Sequence, residues 1–358
     1  MRKLTRQEII DLIHGCAVLG TGGGGSLEKG IAMMEAEIEA GRELYLADLN
    51  ELPDDEYVAC PYGCGAPSAA LNEFPVLEEA PAVTAFRSLE KFMGKKFCAV
   101  SSTELGAENT AEALRVAMQL GLPIADSDPA GRSVPELIHS TFYLYNKPIY
   151  PFSVATNYGD VAVYEKVAND ERAEELVRAM AIASGDEVLV CDHPIVASEF
   201  RNCIIPNAIS YALEIGTILR ENLEAGTDFA KAIAEKKDGK VLFHGFVTEK
   251  PWETRDGFDF GQIYLDGRGE FEGHKYRLDY QNEIYATYRD GELDVTVPDL
   301  VCMISADGTP LTMAEFDTDV EMFVITLPAP EIWKTEKGLE IFGPRHFGVD
   351  ADYIPFKK

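Results

Sequence analysis

The sequence has no long hydrophobic run and no excess of positive charge. No apolar stretch approaches the ~20 residues that a membrane-spanning helix requires. Among 358 residues, 61 are acidic and 32 are basic, so the formal net charge is −29. A surface this acidic is typical of a soluble protein, and it repels phosphate backbones and anionic lipid. We therefore expect a small-molecule substrate, no nucleic-acid partner and no membrane partner.

The N-terminus also lacks a signal peptide, since Asp11 and His14 interrupt its apolar positions. Seven cysteines, an odd number scattered over a long chain, favour free thiols in a reducing compartment. We therefore expect a cytoplasmic protein. Cys60 and Cys64 have a spacing that suits zinc, but no second pair follows them, so a four-ligand structural site is not expected. Cys64 remains a candidate thiol beside a ligand, against the simpler interpretation of a loop cysteine.

Several familiar catalytic motifs are absent. The six histidines include no HExxH or HxH spacing, and there is neither a GxSxG elbow nor a P-loop lysine motif. A histidine-based metal centre is therefore not indicated, although its ligands could assemble from distant positions. Asp192, His193 and Glu199 lie within one short span and are candidates for metal binding or acid/base chemistry, with a turn and a helix cap as the simpler interpretation. We expect no nucleotide cofactor, while a divalent metal such as zinc stays open.

The order of predicted elements divides the chain in two. Strands predicted at 56–60, 96–102 and 122–125 are each followed by a polar, glycine-containing loop, and helices lie between them. This alternation predicts an α/β domain with a mostly parallel sheet over residues 1–165. Asp-Gly pairs, typical of hairpins, then mark a β-rich α+β C-terminal domain over 166–358, with a connecting helix near 206–224. Size alone favours a homo-oligomer.

Four consecutive glycines, Gly22, Gly23, Gly24 and Gly25, form the most unusual stretch of the sequence. The preceding segment is a predicted helix with Thr5 and Glu8 at capping-box spacing, so the strand that a dinucleotide-binding fingerprint requires is missing. The glycines instead lead into a second helix that begins after Ser26. Such a loop either binds an anion or ligand through its N–H groups or forms a tight corner between two helices.

Two acidic loops follow predicted strands. In the first, Asp126 and Asp128 are candidate proton-transfer groups, and Arg132 is a candidate for holding a substrate carboxylate. Asx turns, a helix cap and an internal ion pair explain the same residues without function. In the second, Glu104 is a candidate general base, Gly106 would allow a ligand to approach, and Asn109 lies at a helix N-terminus. A helix cap with an exposed glutamate is the alternative there.

Ligands of α/β sheets bind outside the carboxyl ends of the strands. We therefore predict that four loops face one pocket, which holds a planar, partly anionic heterocycle. These loops are Gly22–Gly25, Cys60–Pro67, Glu104–Asn109 and Asp126–Arg132. The glycines would then be explained by close approach of the backbone to the ligand.

Separated motifs resemble the S-methyl-thiohydantoin desulfurase family over nearly the whole chain. In order, they are "LGTGGGG", "TELGAEN", "GLPIADSDPAGRSVPEL" and the closing "PDLVCMISADGTPLT … LPAPEIWKT … GPRHFGVDADYIPF". The sequence departs from the family pattern at Ala107 and Ser133, and again at Ser68 and Asn72–Phe74. The last two departures bear on substrate identity more than on fold.

The resemblance implies an enzyme of hydantoin metabolism. Its reaction would replace the S-methyl group of a 2-methylthio-imidazolone with oxygen, giving a hydantoin and methanethiol. Glu104, Asp126 or Asp128 would supply the base, unless a bound zinc activates the water. Two alternatives stay open: a non-catalytic metabolite-binding subunit of a hydantoinase-like system, and a hydrolase of another cyclic amide.

Overall fold

The computed structural model describes residues 1–65, 75–255 and 257–357. Pro67, which belongs to one predicted site loop, lies outside the described residues. So do Ser68 and Asn72–Phe74, where the sequence departs from the family pattern. No described helix is both long and apolar enough to cross a membrane.

The helices of the described residues cluster in the first two thirds of the chain. They are α1 (Arg6–Leu19), α2 (Leu27–Glu39), α3 (Pro81–Met93), α4 (Ala107–Leu120), α5 (Thr141–Leu144), α6 (Asp170–Ala183), α7 (Ala197–Phe200), α8 (Ala208–Ala225), α9 (Phe229–Lys236) and α10 (Glu336–Phe342). Thr5 and Glu8 form the predicted capping box of α1, and Ser26 caps α2 through the backbone N–H of Lys29. Each cap accepts an N–H that the first helical turn leaves unpaired.

The strands of the described residues run from the N-terminus to Leu327. They are β1 (Arg2–Lys3), β2 (Tyr45–Ala47), β3 (Tyr57–Gly65), β4 (Phe97–Val100), β5 (Ile124–Ala125), β6 (Ser127–Asp128), β7 (Phe152–Thr156), β8 (Val161–Tyr164), β9 (Glu187–Val196), β10 (Ile205–Pro206), β11 (Lys240–Glu249), β12 (Trp252–Arg255), β13 (Phe258–Gly267), β14 (Lys275–Gln281), β15 (Glu283–Arg289), β16 (Glu292–Thr296), β17 (Leu300–Ser305) and β18 (Glu321–Leu327).

The first sheet is mixed, with strand order β1-β2-β5-β4-β3-β9-β7-β8. Its parallel part is β2-β5-β4-β3, while β1, β9, β7 and β8 all pair antiparallel. The prediction of a mostly parallel sheet was therefore wrong. The reason is that β7 and β8 form a hairpin, and β9 then runs back beside β3. Strand β9, which follows β8 through helix α6, lies between β3 and β7 and pairs antiparallel with both.

The second sheet is antiparallel, with order β16-β15-β14-β13-β11-β18-β17 and with β12 on the edge of β13. Asp290-Gly291 joins β15 to β16, as the Asp-Gly signal predicts. Asp266-Gly267 instead forms the last two residues of β13, and residues 268–274 connect it to β14. The sheet accounts for the β-rich character of the C-terminal half. The predicted connecting helix is α8.

Helix α8 joins the two halves by crossing α1 at very short range. A Cβ added at Gly15 would lie 1.7 Å from the carbonyl oxygen of Ala212, and one at Gly216 would lie 1.7 Å from that of Asp11. Glycine at both positions lets the two backbones touch. One core cluster extends from α1 and α4 through α8 to Cys302 and Ile304 of β17, so the two sheets share a buried boundary. The predicted site loops lie along it.

Candidate functional site

The structure brings the described parts of all four predicted loops into contact. The carbonyl oxygen of Gly24 accepts the N–H groups of Glu108 and Asn109, at 3.0 and 3.3 Å. The Asn109 side chain in turn accepts the N–H of Gly63 at 3.0 Å. The Leu105 N–H donates to the Arg132 carbonyl at 3.3 Å. The N-terminus of α4 is therefore the centre at which the loops meet.

The four glycines are packed against protein groups. A Cβ at Gly24 would lie 2.4 Å from the Cα of Gly106, and one at Gly23 would lie 1.7 Å from a carboxylate oxygen of Glu283. Gly22 abuts Met313, and Gly25 abuts the Glu108 side chain. The loop is thus a tight corner, one of the two interpretations that the sequence allowed. These contacts explain the missing side chains without a ligand, and the ligand-binding role of the loop stays a prediction.

Glu104 lies half-buried directly after β4. One carboxylate oxygen accepts the Val134 N–H at 2.8 Å, and the other accepts the Asn109 side-chain amide. Burial raises the pKa of Glu104, although both hydrogen bonds and the positive charge of Arg132 oppose this shift. A carboxylate that is oriented, partly accessible and raised in pKa has the properties of a general base.

Glu283 is a second carboxyl group at this centre, and the sequence analysis missed it. It is the first residue of β15 and follows the turn at Asn282, whose φ is 55°. Glu283 is 5% exposed, and its Oε2 has no hydrogen-bond partner among the described residues. Burial and the nearby Glu104 carboxylate raise its pKa well above the usual range, against the effect of Arg132. The available signal was a glutamate at the start of a strand that buries most of its residues.

Arg132 is fully buried between the two halves of the chain. Its Nη2 donates to the Thr21 hydroxyl at 2.7 Å and to the Ile284 carbonyl at 3.2 Å. Its Nη1 and Nε donate to the carbonyls of Asp299 and Ser133. Because protein acceptors engage all three nitrogens, the guanidinium is not free to hold a substrate carboxylate. Its positive charge acts to lower the pKa of both Glu104 and Glu283. Its predicted direct contact with substrate is not what this geometry favours.

Asp128 is completely buried beneath Glu104. Its Oδ1 accepts the N–H groups of Ala130 and Gly131, at 2.8 and 2.6 Å, while its Oδ2 has no partner among the described residues. Burial raises the pKa of Asp128 to about 7, although the two N–H groups oppose this shift. Asp128 therefore changes charge near neutral pH.

Asp126 points to a different element. Its Oδ1 accepts the Ser210 N–H at 2.9 Å, and its Oδ2 accepts the Ser210 hydroxyl. The carboxylate thus binds the first turn of α8, where N–H groups need acceptors. The structural alternative for Asp126 was a cap on the next helix along the chain, whereas the observed contact is with the more distant α8.

Cys60 and Cys64 lie on β3, and both are buried thiols. Burial raises the pKa of Cys64 to about 12, so it is not a thiolate near neutral pH. Arg178 of α6 lies close enough to oppose that shift. Arg178 donates hydrogen bonds to Glu174, the Pro135 carbonyl and the Gly257 carbonyl. The sequence did not predict this residue as part of the site, because nothing in the local sequence of α6 links it to the four loops.

The segment that follows Arg132 carries a further polar cluster. Nε2 of His139 lies 3.2 Å from Nε2 of His346, and the latter lies 3.3 Å from a Glu136 oxygen. His139 is fully buried, and burial lowers its pKa to about 3. Glu136 and His139 are close in sequence, but His346 lies 207 positions after His139, and no local spacing links the two histidines.

Asp192 and His193 form a separate buried pair on β9, where a turn and a cap had been the simpler interpretation. The imidazole Nδ1 of His193 lies 2.9 Å from Asp192, whose other oxygen accepts the Tyr62 hydroxyl at 2.9 Å.

A surface cleft of about 770 Å³ lies elsewhere, between α1, α8 and α9, and none of the four loops lines it.

Comparison with known proteins supplies the family. The S-Me-THD-like N-terminal domain matches residues 7–166, and the S-Me-THD-like C-terminal domain matches residues 168–356. A crystal structure of a protein from Chromobacterium violaceum superposes with a TM-score of 0.84 at 20% identity, covering 100% of each chain. At this identity the likeness shows the fold alone. No curated protein matches the chain. The two domain matches span nearly every residue, and the chain therefore belongs to the S-Me-THD-like family, the S-methyl-thiohydantoin desulfurase family that its motifs resemble.

Proposed function

We propose that this protein is a hydrolytic desulfurase, which converts an S-methylated thiohydantoin and water into a hydantoin and methanethiol. The observation that carries the proposal is the pair of carboxyl groups at the meeting point of the loops. Glu104 is half-buried and oriented, and Glu283 is buried with a pKa raised much further. Two carboxyl groups whose environments separate their pKa values are suited to act as base and acid.

Glu104 is the base in this proposal. It takes a proton from water as the water oxygen attacks the ring carbon that bears sulfur. The Val134 N–H and the Asn109 amide hold the carboxylate in one orientation before the reaction. That preorganisation reduces the entropic cost of reaching the transition state.

Glu283 is the acid. Attack on the C=N bond places negative charge on the ring nitrogen, and the neutral Glu283 carboxyl group donates its proton there. As the carbonyl forms, the C–S bond breaks, and protonated Glu104 gives its proton to the departing methanethiolate. The hydroxyl proton of the intermediate returns to Glu283. Both carboxyl groups are then restored, and the atoms of one water molecule have been consumed.

Arg132 and Asp128 support this pair from beneath. The buried guanidinium offsets the negative charge that builds up between Glu104 and Glu283. Asp128 accepts the N–H groups of Ala130 and Gly131 and orders this loop, and its proposed contribution to the reaction is electrostatic. Asp126, which binds α8, has no part in proton transfer in this scheme.

The experiment incubates the purified protein with a 2-methylthio-imidazolone in ¹⁸O-labelled water. We expect methanethiol and hydantoin in equal amounts, with label in the new carbonyl group. A ring-opened product would instead identify a cyclic-amide hydrolase, and binding without turnover would identify a metabolite-binding subunit. Either of those results would refute the desulfurase proposal.

Glu104→Gln and Glu108→Gln form a matched pair for the same assay. Both residues lie around the α4 N-terminus, and burial raises the pKa of both. The Glu108 side chain accepts the Ser26 N–H at 3.0 Å, a bond that glutamine also accepts. Glu104→Gln should lower kcat by at least ~100-fold, the low end for loss of a general base. Glu108→Gln should keep the kcat of the wild-type protein. Equal activity of the two variants would contradict the role of Glu104.

A further inference from the structure

The segment between Arg132 and α5 and the C-terminal segment meet at a compact group of three ligand-type side chains. Glu136, His139 and His346 each present one donor atom, and these atoms lie within 4.8 Å of one another. We propose that the three residues bind one divalent transition-metal ion, with Zn²⁺ as the ion that fits the donor set best.

Two of the three separations between donor atoms match a tetrahedral ion, and the third, between His139 and Glu136, is within 4.8 Å. Zinc–nitrogen and zinc–oxygen bonds of about 2.0–2.1 Å place neighbouring ligand atoms about 3.3 Å apart in a tetrahedron. The observed separations are 3.2 Å between the two imidazole nitrogens and 3.3 Å between His346 and Glu136. Two edges of the coordination polyhedron are therefore already formed.

Hydrogen bonds among the three side chains do not account for both close approaches to Nε2 of His346. A neutral His346 ring has at most one proton on Nε2, and Nε2 faces both Glu136 and His139. That proton can be donated fully to only one of them. A cation at the centre would instead accept a lone pair from each of the three atoms. Two imidazoles and a carboxylate suit zinc and other first-row ions better than Mg²⁺ or Ca²⁺, which prefer oxygen ligands alone.

The surroundings hold the ligands in place and leave one side open. His139 packs against the rings of Phe342 and Phe347, with centroid distances of 4.7 and 5.6 Å. The Gln281 amide donates to Glu136 at 3.2 Å, the type of outer contact that orients a metal-binding carboxylate. The Glu136 and His346 side chains remain 23% and 24% exposed, so an ion and a fourth, water ligand can enter.

Metal binding can be measured without any substrate, so this proposal does not depend on the proposed reaction. The full-length protein is stripped with a chelator and titrated with Zn²⁺ against a chromophoric competitor, and separately with Co²⁺ to record visible absorption. We expect one ion per chain and a Co²⁺ spectrum of tetrahedral type. Mg²⁺ at equal concentration should not compete.

His346→Ala and Glu136→Gln should each weaken Zn²⁺ binding by at least ~100-fold, since removing a ligand costs at least as much as the strongest outer-contact changes. Both side chains are partly exposed, so folding should survive, as circular dichroism would verify. His274→Ala is the control, because His274 contacts Asp290 in an exposed histidine–carboxylate pair. Absence of stoichiometric Zn²⁺ binding, or equal affinity of His346→Ala and His274→Ala, would overturn the proposal.

Discussion

The change Asp128→Asn should make the protein less sensitive to rising pH. Asp128 is fully buried and its folded-state pKa is about 7, whereas an unfolded aspartate titrates near 3.9. The folded state therefore holds this proton over a range in which the unfolded state releases it. The stability associated with the proton is fully present below about pH 4 and is lost as pH rises through 7.

The magnitude follows from the two pKa values. Each pKa unit corresponds to about 1.36 kcal/mol, so a difference of about three units amounts to roughly 4 kcal/mol well above pH 7. Between about pH 5 and pH 8, the wild-type protein should lose about 2.5 kcal/mol of unfolding free energy through this group. Asparagine cannot ionise, and its carbonyl oxygen still accepts the N–H groups of Ala130 and Gly131.

Urea unfolding of both proteins at about pH 5 and pH 8 measures the effect. The free-energy difference between variant and wild type should shift in favour of Asp128→Asn by about 2.5 kcal/mol over that interval. Other titrating groups are shared by the two proteins and cancel in the comparison. Parallel pH profiles would show that Asp128 is ionised in the folded state and that the electrostatic account of the buried centre is incorrect.

Three further substitutions test separate parts of the site. Glu283→Gln should keep the fold, because glutamine has nearly the same size and burial disfavours the charged form of the carboxyl group, but should lower kcat by ~100-fold or more; wild-type turnover would exclude Glu283 as the acid. Gly106→Ala places a Cβ 2.2 Å from the Cα of Gly24 and should reduce the unfolding free energy by about 1–3 kcal/mol; an unchanged urea midpoint would mean that the corner can move apart. Asp126→Ala should lower the free energy of unfolding by about 1 kcal/mol, because the start of α8 loses an acceptor, and should leave kcat per folded molecule unchanged. A large loss of kcat would show that Asp126 takes part in proton transfer.

Local signals predicted the helices well. The Thr5–Glu8 capping box starts α1 where expected, and the helix predicted near 206–224 is α8 at Ala208–Ala225. Such features depend on a few neighbouring residues, and the sequence contains all of them. The strand predicted at 56–60 instead continues to Gly65, because β9 pairs with Cys60–Gly65 from more than 120 residues away. No local pattern encodes that partner, which also makes the sheet mixed.

The same distinction between local and long-range signals applies to the residues of the candidate site. The loops after β4 and β5 were found because parallel strands end at one edge, a rule that needs no knowledge of the second sheet. Glu283 was missed because it enters from the second sheet, through the hairpin between β14 and β15. Arg132 was found by its position, but its role was not, since its acceptors at Thr21, Ile284 and Asp299 belong to other parts of the chain.

The stretch from Asp128 to His139 unites these observations. It contains little regular structure, yet it supplies a buried acid, a buried guanidinium, the N–H that orients Glu104, and two of the proposed metal ligands. The C-terminal segment fixes its shape: Trp333 donates to the Ala130 carbonyl at 2.8 Å, Phe342 lies 5.1 Å from the Arg132 guanidinium, and His346 meets His139. Residues more than 200 positions away thus hold the loop in its observed conformation. The motif that contains Arg132 and the closing motif of the sequence are therefore packed against one another.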